Sequence, residues 1–270
     1  MIGAMNPSAS LQPAGTLLRA WRQRRRLSQL DLALEAEIST RHLSFMETGR
    51  ALPSREMVLR LADRLDMPLR ERNALLVAAG YAPLYPERPL QDPALAAARQ
   101  AVDLVLQGHA PYPALAVDRH WHLVAANATV TALMQGVAPQ LLQPPCNVLR
   151  LSLHPDGLAP RIANYHEWRG HLLERLRRQV EVSGDGVLAD LLVELQALPP
   201  PPGVPALPAG GHDFNAVVVP FRLHTEAGLL SFISTTTVFG TPVDVTLSEL
   251  ALESFFPADA ATAEALRRLA

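Results

Sequence analysis

Apolar positions in the first third of the chain recur at helical spacing and are cut into short runs by capping residues. Residues 1–15 read as a flexible tail. Leu17, Leu18 and Trp21 then form a stripe that ends in Arg24, Arg25 and Arg26. Ser28 is an N-cap, with Asp31 placed as a capping-box partner, for a helix through Ala36. A second helix is predicted over 39–48 and stopped by Gly49. Pro53 and Ser54 open a third carrying Val58, Leu59, Leu61, Ala62 and Leu65, and Pro68 opens the last, closed by Gly80. Five short helices over 16–80 predict an all-α domain. Residues 81–93 hold four prolines, which block helix and predict a stiff connector.

From 94 onward the period changes. Helices are predicted over 94–107, from Asn127 to Met134, over 147–153, 165–182 (Asn164 and Glu167 as a capping box), 187–197 and 260–269. Strands are predicted over 114–118, 121–126, 215–224, 229–238 and 243–255, with Gly228 at a hairpin. The segment 94–270 thus reads as an α+β domain, an antiparallel sheet with helices on one side.

Composition narrows the function. All 24 basic residues are arginine, a bias read as codon usage. Cys146 is the only cysteine, which excludes an internal disulfide and a cysteine zinc site. No apolar run approaches the ~18 residues of a membrane span, and the first fifteen residues lack a signal-peptide core; a soluble cytoplasmic protein is expected, without membrane or cofactor. The net charge of −2 divides unevenly. Residues 1–90 hold 13 arginines against 9 carboxylates, leaving +4; residues 91–270 hold 11 against 17, leaving −6. The basic segment is the candidate for nucleic acid.

Residues 29–48 have the pattern of a helix-turn-helix. Ala33 fits the close helix contact, and Leu32, Ile38, Leu43 and Met46 fit buried positions. Ser39, Thr40, Arg41, Ser44 and Phe45 are left on the outer face of the second helix. Gln29 stands where a helix N-terminus can hold a phosphate. No Gly-x-Ser-x-Gly, phosphate-binding loop or His-Glu-x-x-His occurs later in the chain. His120 and His122 would share a strand face but lack a third metal ligand.

At Leu27-Ser28-Gln29, Leu32-Ala33, Ile38-Ser39, Leu43-Ser44, Glu47, Gly49-Arg50 and Pro53-Ser54 the sequence resembles the repressor-type (XRE) DNA-binding domains. One position departs: Glu37 stands where a left-handed glycine is usual, at a local cost of about 1 kcal/mol. The resemblance implies that Arg41 reads guanine and that Thr40 and Ser44 touch bases. Phe45 either presses on a thymine methyl or completes the core. Gln29, Ser39, Arg50 and Arg55 are placed for phosphates.

Residues 114–127, 147–168, 234–242 and 253–259 are similar to the C-terminal domain of the MmyB-like transcription regulators. That resemblance implies a PAS-like fold that binds a small molecule, with fatty-acyl-type ligands suggested. Arg150, His154 and Arg161 are the candidate anchors for a ligand carboxylate; the alternative is that they cap helices or pair with acids such as Asp156 and Glu167. Trp121 and Trp168 read as core. The expectation is a homodimeric regulator that binds double-stranded DNA and senses an apolar or fatty-acyl-like ligand. Two alternatives stand beside it: an enzyme with an accessory DNA-binding domain, and a protein–protein adaptor.

Overall fold

The computed structural model describes residues 12–204 and 218–269. They divide into two compact units. One runs to Glu87 and takes in Val243–Val245; the other holds Arg88–Pro242 and Thr246 onward.

The first unit consists of α1 (Ala14–Arg24), α2 (Gln29–Glu35), α3 (Thr40–Glu47), α4 (Arg55–Arg64) and α5 (Leu69–Ala78). Local chemistry sets the boundaries. The Ser28 hydroxyl accepts from the Asp31 amide and the Asp31 carboxylate accepts from the Ser28 amide, so the capping box at α2 is complete. Ser39 and Ser54 cap α3 and α4 through the amides of His42 and Met57. Between α2 and α3, Glu37 adopts a φ of +56°, the left-handed turn expected there despite its side chain. Leu32, Ala33, Leu43, Met46, Leu61, Leu65 and Leu76 are buried, and each aliphatic side chain so covered contributes roughly 1.5–3 kcal/mol. Ile38 is only half-buried. The helix α1 begins at Ala14, so Ala14 and Gly15, at the end of the segment read as tail, are helical. A Cβ on Gly15 would lie 2.4 Å from the Met46 carbonyl oxygen, so α1 meets α3 backbone to backbone. The proline connector begins in contact with this unit. The Tyr81 hydroxyl donates to the Pro53 carbonyl, and the Asn73 amide bonds the backbone of Leu84 and Tyr85.

The second unit opens with a 3-10 turn at Pro93–Leu95 and α6 (Ala96–Gly108). It continues through β1 (Ala114–Val117), β2 (Leu123–Ala126), α7 (Ala128–Leu133), α8 (Val148–Leu153), α9 (Tyr165–Ser183) and α10 (Gly186–Ala197). It closes with β3 (Phe221–Thr225), β4 (Gly228–Val238), α11 (Val245–Ser248, whose first residue falls in the first unit), β5 (Ala251–Pro257) and α12 (Ala260–Leu269). The strands form one antiparallel sheet in the order β2-β1-β5-β4-β3. Period-2 alternation divides its faces. Leu115 and Val117 join the main core with α8, α9 and α10, whereas Ala114 and Ala116 pack against Val102 and Leu106 of α6. Helices therefore cover both faces at β1, not one side as predicted.

Three other expectations shift. Trp121 has a φ of +68°, which an extended strand does not accommodate, so β2 starts at Leu123, with His120 in the preceding turn and His122 in an isolated bridge to Asn147. His120 Nε2 lies 2.9 Å from Asp185 Oδ2, and His122 Nδ1 lies 3.0 Å from Asp118 Oδ2. The strand expected over 243–255 begins only at Ala251, because α11 occupies Val245–Ser248 within it. Asn164 makes no cap bond to α9; its side chain instead accepts from the Arg222 amide and donates to the Pro220 carbonyl, bracing β3. Of the strand expected over 215–224, residues 215–217 lie outside the described residues.

Candidate functional site

In the first unit α3 stands over its partners on a polar network. Arg22 Nε and an Nη donate to the two carboxylate oxygens of Glu47 at 2.6 and 2.9 Å. Gln29 Nε2 donates to the same carboxylate at 2.8 Å, joining α1, α2 and the end of α3. The Glu47 side chain is 2% exposed. Burial pushes its carboxyl up, but hydrogen bonds from Arg22 and Gln29, with the charges of Arg22 and Arg19, outweigh burial and hold it below the ordinary value. Sequence reasoning missed Arg22 and Glu47 as a pair; the only signal was a charge on the inward side of each helix.

The opposite face of α3 carries the predicted contact residues. Arg41 is exposed and Phe45 half-buried, with the Arg41 guanidinium 5.3 Å from the Phe45 ring centroid. The Arg50 guanidinium stands 5.9 Å from the same ring. Phe45 lies outside the core cluster, so an aromatic ring and two cations form one surface group. Thr40 and Ser44 are half-buried beside it. Ser39 uses its hydroxyl for the α3 cap, and Gln29 directs its amide at Glu47. Arg55 is exposed at the first turn of α4. The structure brings Arg41, Phe45 and Arg50 together and commits the side chains of Gln29 and Ser39 to internal bonds.

In the second unit the sheet and helices enclose a cavity of about 90 Å³. Leu115, Phe221, Leu223, Phe232 and Phe255 supply its sheet wall, and Val130, Leu149, Trp168 and Leu172 its helical wall. Trp121 also lines it. Its indole N–H donates to Gln179 Oε1 at 2.8 Å, and its backbone is bonded at both ends, to Asp118 and Val148. These bonds hold a conformation that costs of order 1–3 kcal/mol. Both tryptophans are core residues, as expected, and cavity walls as well.

Polar side chains interrupt the apolar lining at Ser152, Arg175, Ser234 and Glu253. The Ser152 hydroxyl accepts from Trp168 Nε1 at 3.0 Å. Arg175 reaches Glu253 with one Nη at 2.5 Å from Oε1 and the other at 3.1 Å from Oε2. Its guanidinium lies 4.5 Å from the Trp121 ring centroid. The neighbouring imidazole of His171 is held below its ordinary value by burial and by the charge of Arg175.

The anchors expected from sequence lie elsewhere; none of them lines the cavity. Arg150 makes a two-pronged bond to Glu194 at 2.5 and 2.7 Å on the surface. His154 Nδ1 accepts from the Asp156 amide, shaping the turn after α8. Arg161 donates to the carbonyls of Leu133 and Gln135, capping the end of α7. Each satisfies a local backbone or charge requirement. Arg175 and Glu253, which do face the cavity, are 78 positions apart in sequence and were not singled out as a pair.

Comparison with known families assigns both units. Residues 14–75 match the model of a helix-turn-helix domain. Residues 98–269 match the model of the MmyB-like transcription regulator ligand binding domain. No curated protein matches the chain. Among the described residues no helix is long and apolar enough to cross a membrane. With well over half its length matched, the chain belongs to the MmyB-like transcription regulators, as a DNA-binding regulator that carries a ligand-binding domain.

Proposed function

We propose that the protein is a one-component, sequence-specific regulator acting as a homodimer in the cytoplasm, and that it binds without catalysing a reaction. Residues 16–80 place α3 in the major groove; residues 81–93 link them to a sensor formed by 94–270. The sensor takes a small apolar or fatty-acyl-like molecule into its cavity, and occupancy favours one of two arrangements of the dimer.

The observation that carries this reading is the Arg41–Phe45–Arg50 group, formed by the outer face of α3 and the segment just after it, which the core does not use. An arginine fork reads guanine, and a half-buried ring beside it meets a thymine methyl. Thr40 and Ser44 contact neighbouring bases, while Arg50 and Arg55 hold phosphates. The backbone amides at Gln29 and Ser39 supply the remaining phosphate contacts, since their side chains are engaged.

Site selection from random duplexes tests it. Arg41→Ala is expected to relax preference at one base pair, by about 1–3 kcal/mol of discrimination, and Arg55→Ala to weaken all sequences alike. Equal losses on cognate and scrambled duplexes for both variants refute the reading role of Arg41. Native mass spectrometry of the full chain is expected to show a dimer retaining a small molecule.

A further inference from the structure

Among the described residues the cavity of the second unit is lined by one cation and one anion, and they are spent on each other. Arg175 spans both oxygens of Glu253, at 2.5 and 3.1 Å. The Thr236 hydroxyl closes the group, accepting from Arg175 at 2.8 Å and donating to Glu253 Oε1 at 2.9 Å. The Glu253 side chain is 5% exposed and that of Arg175 29%, so the pair spans from the cavity interior toward its rim. The guanidinium face rests on Trp121. Among the described residues the remaining lining is uncharged, and Ser234 adds a hydroxyl to it.

From this we infer that the cavity selects amphiphiles whose head group is neutral and hydrogen-bonding, such as an alcohol, ester or amide, and discriminates against free carboxylates. The inference rests on the ligand-sensing reading above and gives that ligand its chemical class. A carboxylate entering the polar end meets a guanidinium fork already filled by a carboxylate. To bind Arg175 it must displace Glu253, stranding an anion with almost no access to water; if it leaves the pair intact, it adds a second negative charge beside Glu253. Both routes are unfavourable in a site of low polarity. An alkylammonium faces the same obstacle through Arg175. A hydroxyl or carbonyl needs neither displacement, because Ser234 and the outer edge of the pair can bond it with no change of net charge. Glu253 is then the residue that sets head-group specificity.

The test is calorimetric titration of the full-length protein with decan-1-ol, decanoate and decylammonium, which share a chain and differ in head charge. Decan-1-ol is expected to bind at least ~10-fold more tightly than either ion. Glu253→Gln keeps the shape and frees Arg175; decanoate is expected to gain ~10-fold or more while decan-1-ol changes less than ~3-fold. Decanoate equal to or tighter than decan-1-ol on the unaltered protein overturns the inference, and so does a folded Glu253→Gln protein that shows no gain for decanoate. If Glu253→Gln does not fold, the ranking on the unaltered protein decides alone. If none of the three amphiphiles binds, the ligand reading of the cavity falls, and the head-group inference with it.

Discussion

Replacing Glu47 with Gln probes the join on which α3 is held. The amide preserves shape but removes the charge that Arg22 faces. The Arg22 side chain is 10% exposed, so water cannot replace the lost partner; what remains is one amide oxygen and the Leu27 carbonyl at 2.9 Å. Removing one member of a buried pair costs about 3–5 kcal/mol, and the retained amide oxygen places this variant near the lower value. A loss of about 3 kcal/mol is a large share of the 5–15 kcal/mol typical of a domain. The assay is hydrogen exchange of the full chain, read by mass spectrometry. Amides of α1–α3 that open with the whole unit are expected to lose about 100-fold of their protection, while those of β4 and β5 are unchanged. The double variant Arg22→Met, Glu47→Leu, which removes both charges, is expected to recover most of the loss. The carboxyl of Glu47 is held below its ordinary 4.5, so its contribution is whole above that pH and fades as pH falls through the lower native value. Glu47→Gln should therefore flatten that acid limb. Protection within about threefold of the parent, or a double variant no better than the single one, refutes the reasoning.

Gly15→Ala is expected to destabilise the first unit by about 1–3 kcal/mol in urea melts, because its Cβ meets backbone carbonyls of Met46 and Glu47. Gly108→Ala, with open space around the added carbon, should leave stability equal or higher by up to about 1 kcal/mol. Arg150→Ala breaks a surface pair with both side chains more than a third exposed; a loss under about 1 kcal/mol is expected, with amphiphile titrations unchanged. His171 is held below its ordinary 6.5, so the folded protein favours the neutral ring. Its contribution is whole above pH 6.5 and declines below it, and His171→Gln should reduce that slope in melting temperatures measured between pH 5 and 7.

The elements that could be read from sequence are those whose causes are local. Ser28 with Asp31, Ser54 before α4, and Asn127 before α7 each announce a helix within three residues, and Gly228 marks the β3–β4 hairpin. The outer face of α3 was legible because spacing leaves few positions free of the core. The cavity's polar group was not. Arg175 shares the inward stripe of α9 with Trp168, Leu172 and Leu176, and Glu253 sits between Leu252 and Phe255. A charge at a core-facing position is the signal available in each, but pairing them needs the sheet register and the helix packing together. Arg150, His154 and Arg161 are candidate anchors in sequence only because an acyl carboxylate would need a cationic or hydrogen-bonding partner. His154 settles a turn and Arg161 a helix end, while Arg150 is taken by a surface pair with Glu194.

The absence of lysine has a consequence at the alkaline end of the pH scale. Apart from histidine contacts, the ion pairs among the described residues have a guanidinium as their cation, from Arg22 with Glu47 to Arg175 with Glu253. A guanidinium does not release its proton in water at any pH a protein normally meets, whereas an ammonium does so near 10.4. Between pH 8 and 11 the ionisable groups left are the chain's amino terminus, Cys146 and the four tyrosines. Burial pushes both the Cys146 thiol and the Tyr165 phenol above their ordinary values, so neither buried group readily adds charge there. The fold thus keeps its electrostatic joints in strongly basic solution, and amine-directed reagents have no side chain to attack.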